Sequence, residues 1–130
     1  MEYSPDKTIL IKEYLRMAEE RLESAQALLG IGNFSDSISR TYYAFLDAAS
    51  AILISINIAP QSHAGAIGLF GKHFVKTKKV PDKFGKMFKR IEKARLEADY
   101  KHLKKFTQDE AMDALKEARE FVDVIKKLLK

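Results

Sequence analysis

The stretch from Phe34 to about Ile58 carries apolar residues on almost every side of the helix it would form, among them Ile38, Tyr42, Tyr43, Phe45, Leu46, Ala48, Ala49, Ile52, Leu53 and Ile56. A helix that is apolar all round has to be enclosed, either by its own bundle or by a second subunit. Ahead of it, Gly30-Ile31-Gly32-Asn33 reverses the chain, and Asn33 or Ser35 offers a cap; behind it, Pro60 ends it. Its most apolar part, Ala44 to Ala59, is interrupted by Asp47, Ser50, Ser55 and Asn57 and falls short of the ~20 residues a membrane span needs. The expectation is a buried helix and no membrane.

The rest of the chain reads as helices that could do the enclosing. Ile11, Leu15, Ala18, Leu22, Ala25 and Leu29 recur at alternating steps of four and three, the apolar stripe of a first helix that starts near Pro5 or Asp6 and ends at Gly30. Ser62 can cap a shorter third helix from His63 to about Val75, with Ala66, Ile67, Phe70 and Phe74 facing inward. Pro81 opens a fourth, running to about His102, with Phe84, Phe88, Ile91, Arg95 and Ala98 along one line. Thr107 and Glu110 stand at capping-box spacing before a last helix that repeats Ala111, Ala114, Ala118, Phe121, Ile125 and Leu128. No strand pattern or internal repeat interrupts this. Five helices on short turns predict an all-α, up-and-down bundle, one domain over residues 1–130.

Charge is unevenly placed. Between Gly71 and Phe106 there are 13 Lys or Arg against 4 Asp or Glu; the remainder carries 10 against 14. A basic third inside a mildly acidic protein favours an anionic partner, such as RNA, a nucleotide or an acidic protein surface, and competes with the plainer reading of a solvated lysine face. Lys78, Lys79, Lys86 and Lys89 are the candidate contacts. There is no cysteine, which rules out disulfides and thiolate zinc sites and agrees with a reducing cytoplasm. The start, Met1-Glu2-Tyr3-Ser4-Pro5-Asp6, lacks the basic and apolar regions of a signal peptide. No two histidines share metal-ligand spacing, so neither a metal nor a cofactor is expected. The one Gly-rich turn has no strand before it and no Lys-Ser/Thr after it, unlike a phosphate loop.

The segment Ser39-Arg40-Thr41-Tyr42-Tyr43-Ala44 resembles the Ser-Arg-Ala-Tyr-Tyr-Ala pattern in helix two of a large subfamily of HEPN proteins. His63-Ala64-Gly65 followed by Phe70, then Phe74-Val75-Lys76, then Arg95 with Asp99-Tyr100, and a closing helix with Ala118-Arg119-Glu120-Phe121-Val122 extend the resemblance in order. It implies a helical bundle that commonly forms a homodimer, and a nucleotidyltransferase-like partner protein, often in a toxin–antitoxin pair. Some members are metal-independent ribonucleases whose motif is an Arg followed four to six residues later by a His on this helix. The Arg would be Arg40; the position carried over for the His, seven residues on, holds Asp47.

Residues seven apart share a helix face, so Arg40, Tyr43 and Asp47 form one polar line on an apolar helix. Arg40 either binds a phosphate, or pairs with Asp47 or a neighbouring acid in a structural network to which Tyr43 adds a hydrogen bond. Metal-free RNA cleavage needs a group that exchanges protons near neutral pH, which suits His and not an Asp pushed further down by an adjacent Arg. His63 is then the remaining histidine with a claim, against the reading of a helix-start residue that bonds locally; His73 and His102 sit among lysines and read as solvated. Arg95 and Asp99, four apart, read as a structural pair. The leading functional expectation is a non-catalytic HEPN module that binds a partner protein, a nucleotide or RNA. The alternative is a ribonuclease using Arg40 with His63, and a third reading is a purely structural dimer.

Overall fold

The computed structural model describes residues 5–100 and 104–130. The predicted end of the fourth helix, at about His102, lies outside the described residues. The described residues form an all-α bundle of five helices: α1 (Pro5–Gly30), α2 (Phe34–Ser55), α3 (His63–Phe70), α4 (Asp82–Asp99) and α5 (Gln108–Leu128), with a π-helical turn, Gly71–Val75, directly after α3.

Helix α2 is the centre. It packs against α1, α3, α4 and α5, most extensively against α1. Only Asp36 and Arg40 of its residues are exposed. Its own chain therefore covers the apolar surface that raised the possibility of a second subunit. Around Phe45 the core is aromatic: its ring lies 4.6 Å from that of Phe121 on α5 and 5.8 Å from that of Phe88 on α4, and Phe70 of α3 closes the group 5.1 Å from Phe121. Such clusters bury large areas and add edge and tilt preferences that fix the helices' relative positions. Two buried hydroxyls are satisfied by carbonyls: Ser37 Oγ reaches across to the Ala25 carbonyl of α1 at 2.8 Å, and Thr41 Oγ1 donates to the Ser37 carbonyl one turn back at 2.9 Å.

The caps explain where elements begin and end. Ser62 Oγ accepts from the Gly65 amide at 2.9 Å, and Thr107 with Glu110 forms the reciprocal capping box. Asn33 occupies the N-cap position of α2 but its side chain makes no capping bond. Helix α2 stops at Ser55, three residues before the predicted Ile58, because Asn57 turns left-handed at φ 66° and the Ile58 amide bonds back to the Leu53 carbonyl at 3.0 Å. The third helix reaches Val75 as predicted but changes to π geometry at Gly71, where the Lys76 amide bonds the Gly71 carbonyl at 2.8 Å. Gly85 on α4 faces this turn; a Cβ there would lie 3.1 Å from a Val75 methyl, so the glycine permits the close approach.

Candidate functional site

Side chains from four helices meet around two adjacent tyrosines of α2. Tyr42 is buried and Tyr43 half-buried, and their rings stand edge to face 5.5 Å apart. Burial, reinforced by the nearby Glu92 carboxylate, pushes the Tyr42 phenol up to about 12. From α4, Arg95 lays its guanidinium carbon 5.5 Å from the Tyr42 ring centre and 5.9 Å from that of Tyr43, and Nη2 donates to the Tyr43 hydroxyl at 3.3 Å. From α1, Arg21 places its guanidinium carbon 5.3 Å from the Tyr43 ring centre. From the first residue of α3, the exposed His63 ring approaches edge-on, 5.8 Å from Tyr43 and 6.0 Å from Tyr42.

Asp47 is 7% exposed and lies one turn further along α2. Its partner is Arg21, whose Nε donates to Oδ2 at 3.3 Å. Burial raises the Asp47 carboxyl above the ordinary range, against the opposing pull of Arg21 and of His63 nearby. The Arg expected beside this group was Arg40; the one found is Arg21, and desolvation outweighs its pull. Arg95 Nε lies 3.3 Å from Asp99 Oδ2, so the expected pair exists. The contact is not aligned as a hydrogen bond, and this buried Nε has no hydrogen-bond partner. Burial works against the Arg95 charge, but the Tyr43 hydrogen bond and the Asp99 carboxylate outweigh it and raise its pKa.

The predicted polar line is thus redistributed. Tyr43 and Asp47 belong to the cluster, and His63 and Arg95 join them. Arg40 does not: it is exposed and has no partner among the described residues, so the predicted Arg40–Asp47 pair is replaced by Arg21–Asp47. Nothing in the residue spacing points to Arg21. It stands 26 residues from Asp47, where helical periodicity carries no signal. One sequence signal for Arg95 was there to be read: His102 follows it by the same seven residues that separate Asp47 from Arg40. His102 lies outside the described residues. Of the basic candidates, Lys78 pairs with Asp82 at 2.8 Å, Lys79 lies 5.5 Å from the Phe74 ring centre, Lys86 stands near Asp82, and Lys89 is exposed without a partner among the described residues. His73 is half-buried, not fully solvated.

Two guanidinium groups and an imidazole converging on tyrosine rings can hold an anion: arginine offers forked donors to phosphate and stacks on aromatic faces. A roomier groove of about 500 Å³ lies between α4 and α5, but its rim mixes Arg90, Lys93 and Lys104 with Glu97, Glu110, Asp113 and Glu117 and it contains no histidine. The tyrosine cluster is the better site on chemistry. Among the described residues no three potential metal ligands are gathered together, and no helix is long and apolar enough to cross a membrane.

The family model of the HEPN domain matches residues 11–128. The chain is 37% identical to a candidate toxin of Methanocaldococcus jannaschii, over 92% of this chain and 89% of that protein. It is 32% identical to a UPF0332 protein of Thermotoga maritima, over 95% and 94% of the two chains. A second candidate toxin of M. jannaschii is 26% identical, over 92% of this chain and 81% of its own length.

Proposed function

Starting from the fact that the chain belongs to the HEPN domain family, we propose that it is a toxin-type HEPN module that binds RNA by its phosphate backbone at the Tyr42–Tyr43 cluster. The observation that carries this reading is Arg95. Its side chain is 26% exposed, it rests on two aromatic rings, and it retains a buried Nε with no hydrogen-bond partner. That Nε faces the Asp99 carboxylate at 3.3 Å without an aligned hydrogen bond, so the guanidinium keeps donor capacity that a phosphate oxygen would use. The exposed lysines at the start of α4, Lys86 and Lys89 above all, would add long-range attraction for the same strand. The toxin role comes from the names of the M. jannaschii relatives. It implies a neutralising partner, for which a nucleotidyltransferase-like protein is the expectation. A homodimer would have to form through the outer helices, because α2 is already covered. The test is binding of a labelled single-stranded oligoribonucleotide: Arg95→Gln should weaken it at least tenfold, the loss of a charge-assisted hydrogen bond of ~1.5–3 kcal/mol, and unchanged affinity would refute the assignment.

A second reading, metal-independent cleavage of RNA, is favoured by His63. In support, this imidazole stands edge-on to both tyrosine rings and near Asp47, and Arg95 and Arg21, not Arg40, would be the cations of the reaction. In such a reaction a base takes the proton of a 2′-hydroxyl as it attacks the adjacent phosphorus, and an acid returns a proton to the departing 5′-oxygen; histidine suits either step. His63→Ala and His102→Ala, assayed separately for cleavage in chelator, distinguish the two histidines, and no cleavage by the natural protein leaves the binding reading alone.

A further inference from the structure

Arg21 makes less use of its donors than its position allows. A guanidinium has five N–H donors. Arg21 gives one, from Nε, to Asp47, at a length of 3.3 Å that is long for a charge-assisted bond, normally ~2.7–2.9 Å. Its two terminal nitrogens have no protein acceptor among the described residues, and the side chain is 31% exposed. It overlies the same Tyr43 ring that Arg95 approaches from the other helix.

We propose that Arg21 is a second phosphate-binding cation of this site, restrained by Asp47, and that an arriving phosphodiester draws the guanidinium away from that carboxylate. The proposal rests on the RNA reading above and specifies it: the ligand presents neighbouring phosphodiesters, one for Arg95 and one for Arg21, across the Tyr43 ring. The carboxylate that loses Arg21 is not stranded as a bare buried charge. His63 of α3 faces it, and its raised affinity for a proton lets it accept one. On the far side of the tyrosines, α4 carries Arg95 over the Tyr43 ring with Asp99 beside it, and Glu92 near Tyr42. Asp47 thus acts as an internal competitor for the ligand, opposing binding through Arg21 without touching the strand.

The experiment measures affinity for a labelled single-stranded oligoribonucleotide across a salt series, with melting curves for every variant. Asp47→Asn should bind severalfold more tightly than the natural protein, because it releases Arg21 while keeping the shape of the side chain. Arg21→Gln should bind severalfold more weakly, with a salt slope shallower by about 0.7, the amount expected for one phosphate contact on a single strand. The double variant should match Arg21→Gln. If Asp47→Asn and Arg21→Gln weaken binding alike, or neither changes it, the pair is a brace and the proposal fails. Should Arg21→Gln not fold, the natural protein and Asp47→Asn still decide: affinity of the former rises as pH is lowered and Asp47 takes up its proton, and that rise must shrink in the latter. Arg95→Gln keeps the two levels apart. No loss there removes the RNA reading itself, whereas a loss there with silent Arg21 and Asp47 variants removes only this inference.

Discussion

Arg21 of α1 and Asp47 of α2 face each other across the most extensively packed helix pair, joined by one bond of 3.3 Å, with Asp47 buried and Arg21 partly in solvent. The asymmetry makes the two residues unequal in what their loss would do. Arg21→Ala removes the cation of Asp47, and breaking a buried pair from one side costs about 3–5 kcal/mol; partial exposure of Arg21 and the readiness of the Asp47 carboxyl to take up a proton should place this one below that range. Arg40→Ala, in contrast, removes an exposed side chain with no partner among the described residues and should change stability by less than about 0.5 kcal/mol. Urea denaturation of the two variants side by side would test the pairing, and equal losses would contradict it.

Asp47 also predicts a pH dependence. Its folded-state pKa is raised, so the folded protein holds this proton more tightly than the unfolded chain, where aspartate titrates near ~3.9. The stability this contributes is complete below the unfolded value and is lost as pH rises through the raised folded value. Asp47→Asn lacks the transition. Its stability relative to the natural protein should therefore improve with rising pH across that window, read as the difference between two melting temperatures at each pH. A difference that stays flat would show that Arg21 balances burial, and one that falls with rising pH that Arg21 outweighs it.

The basic segment predicts graded effects. Lys78 is already engaged by Asp82, whereas Lys89 has no partner among the described residues. Lys89→Glu should weaken oligoribonucleotide binding more than Lys78→Glu, and the gap should close at high salt as the Debye length falls to ~3 Å at 1 M. Equal effects would mean that the segment acts only through net charge.

Two substitutions test the frame that holds the site. Thr107→Ala removes the capping box at the start of α5 and should cost about 0.5–2 kcal/mol. Phe121→Ala empties the middle of the aromatic core and should cost about 3–5 kcal/mol. Calorimetry on the pair would show whether α5 is held more by its core than by its cap.

What was legible in the sequence is what short-range physics writes there. Ser62 with Gly65, and Thr107 with Glu110, are three residues apart and bond as their spacing requires. The inward faces of the helices followed from periodicity, and so did the sharing of one face by Tyr43 and Asp47. Spacing says which residues share a face, but not which part of that face a neighbouring helix will cover. That is why Arg40 reads as buried and is exposed, and why the cation of Asp47 came from α1, 26 residues away. The π turn was illegible for a related reason: Gly71–Val75 keeps a helical apolar pattern, and its changed winding accompanies contact with Gly85 of α4, well beyond any local window.

Because α1, α3, α4 and α5 all lean on α2, its amides meet solvent only when the packing around them opens. Deuterium uptake along α2 should then follow whole-molecule unfolding, while the outer helices exchange by smaller openings. Within the site, Tyr42, Tyr43 and Asp47 sit on the helix expected to exchange last, and Arg21, His63 and Arg95 reach them from helices expected to exchange sooner. A ligand bound there would meet a rigid anvil through moving cations.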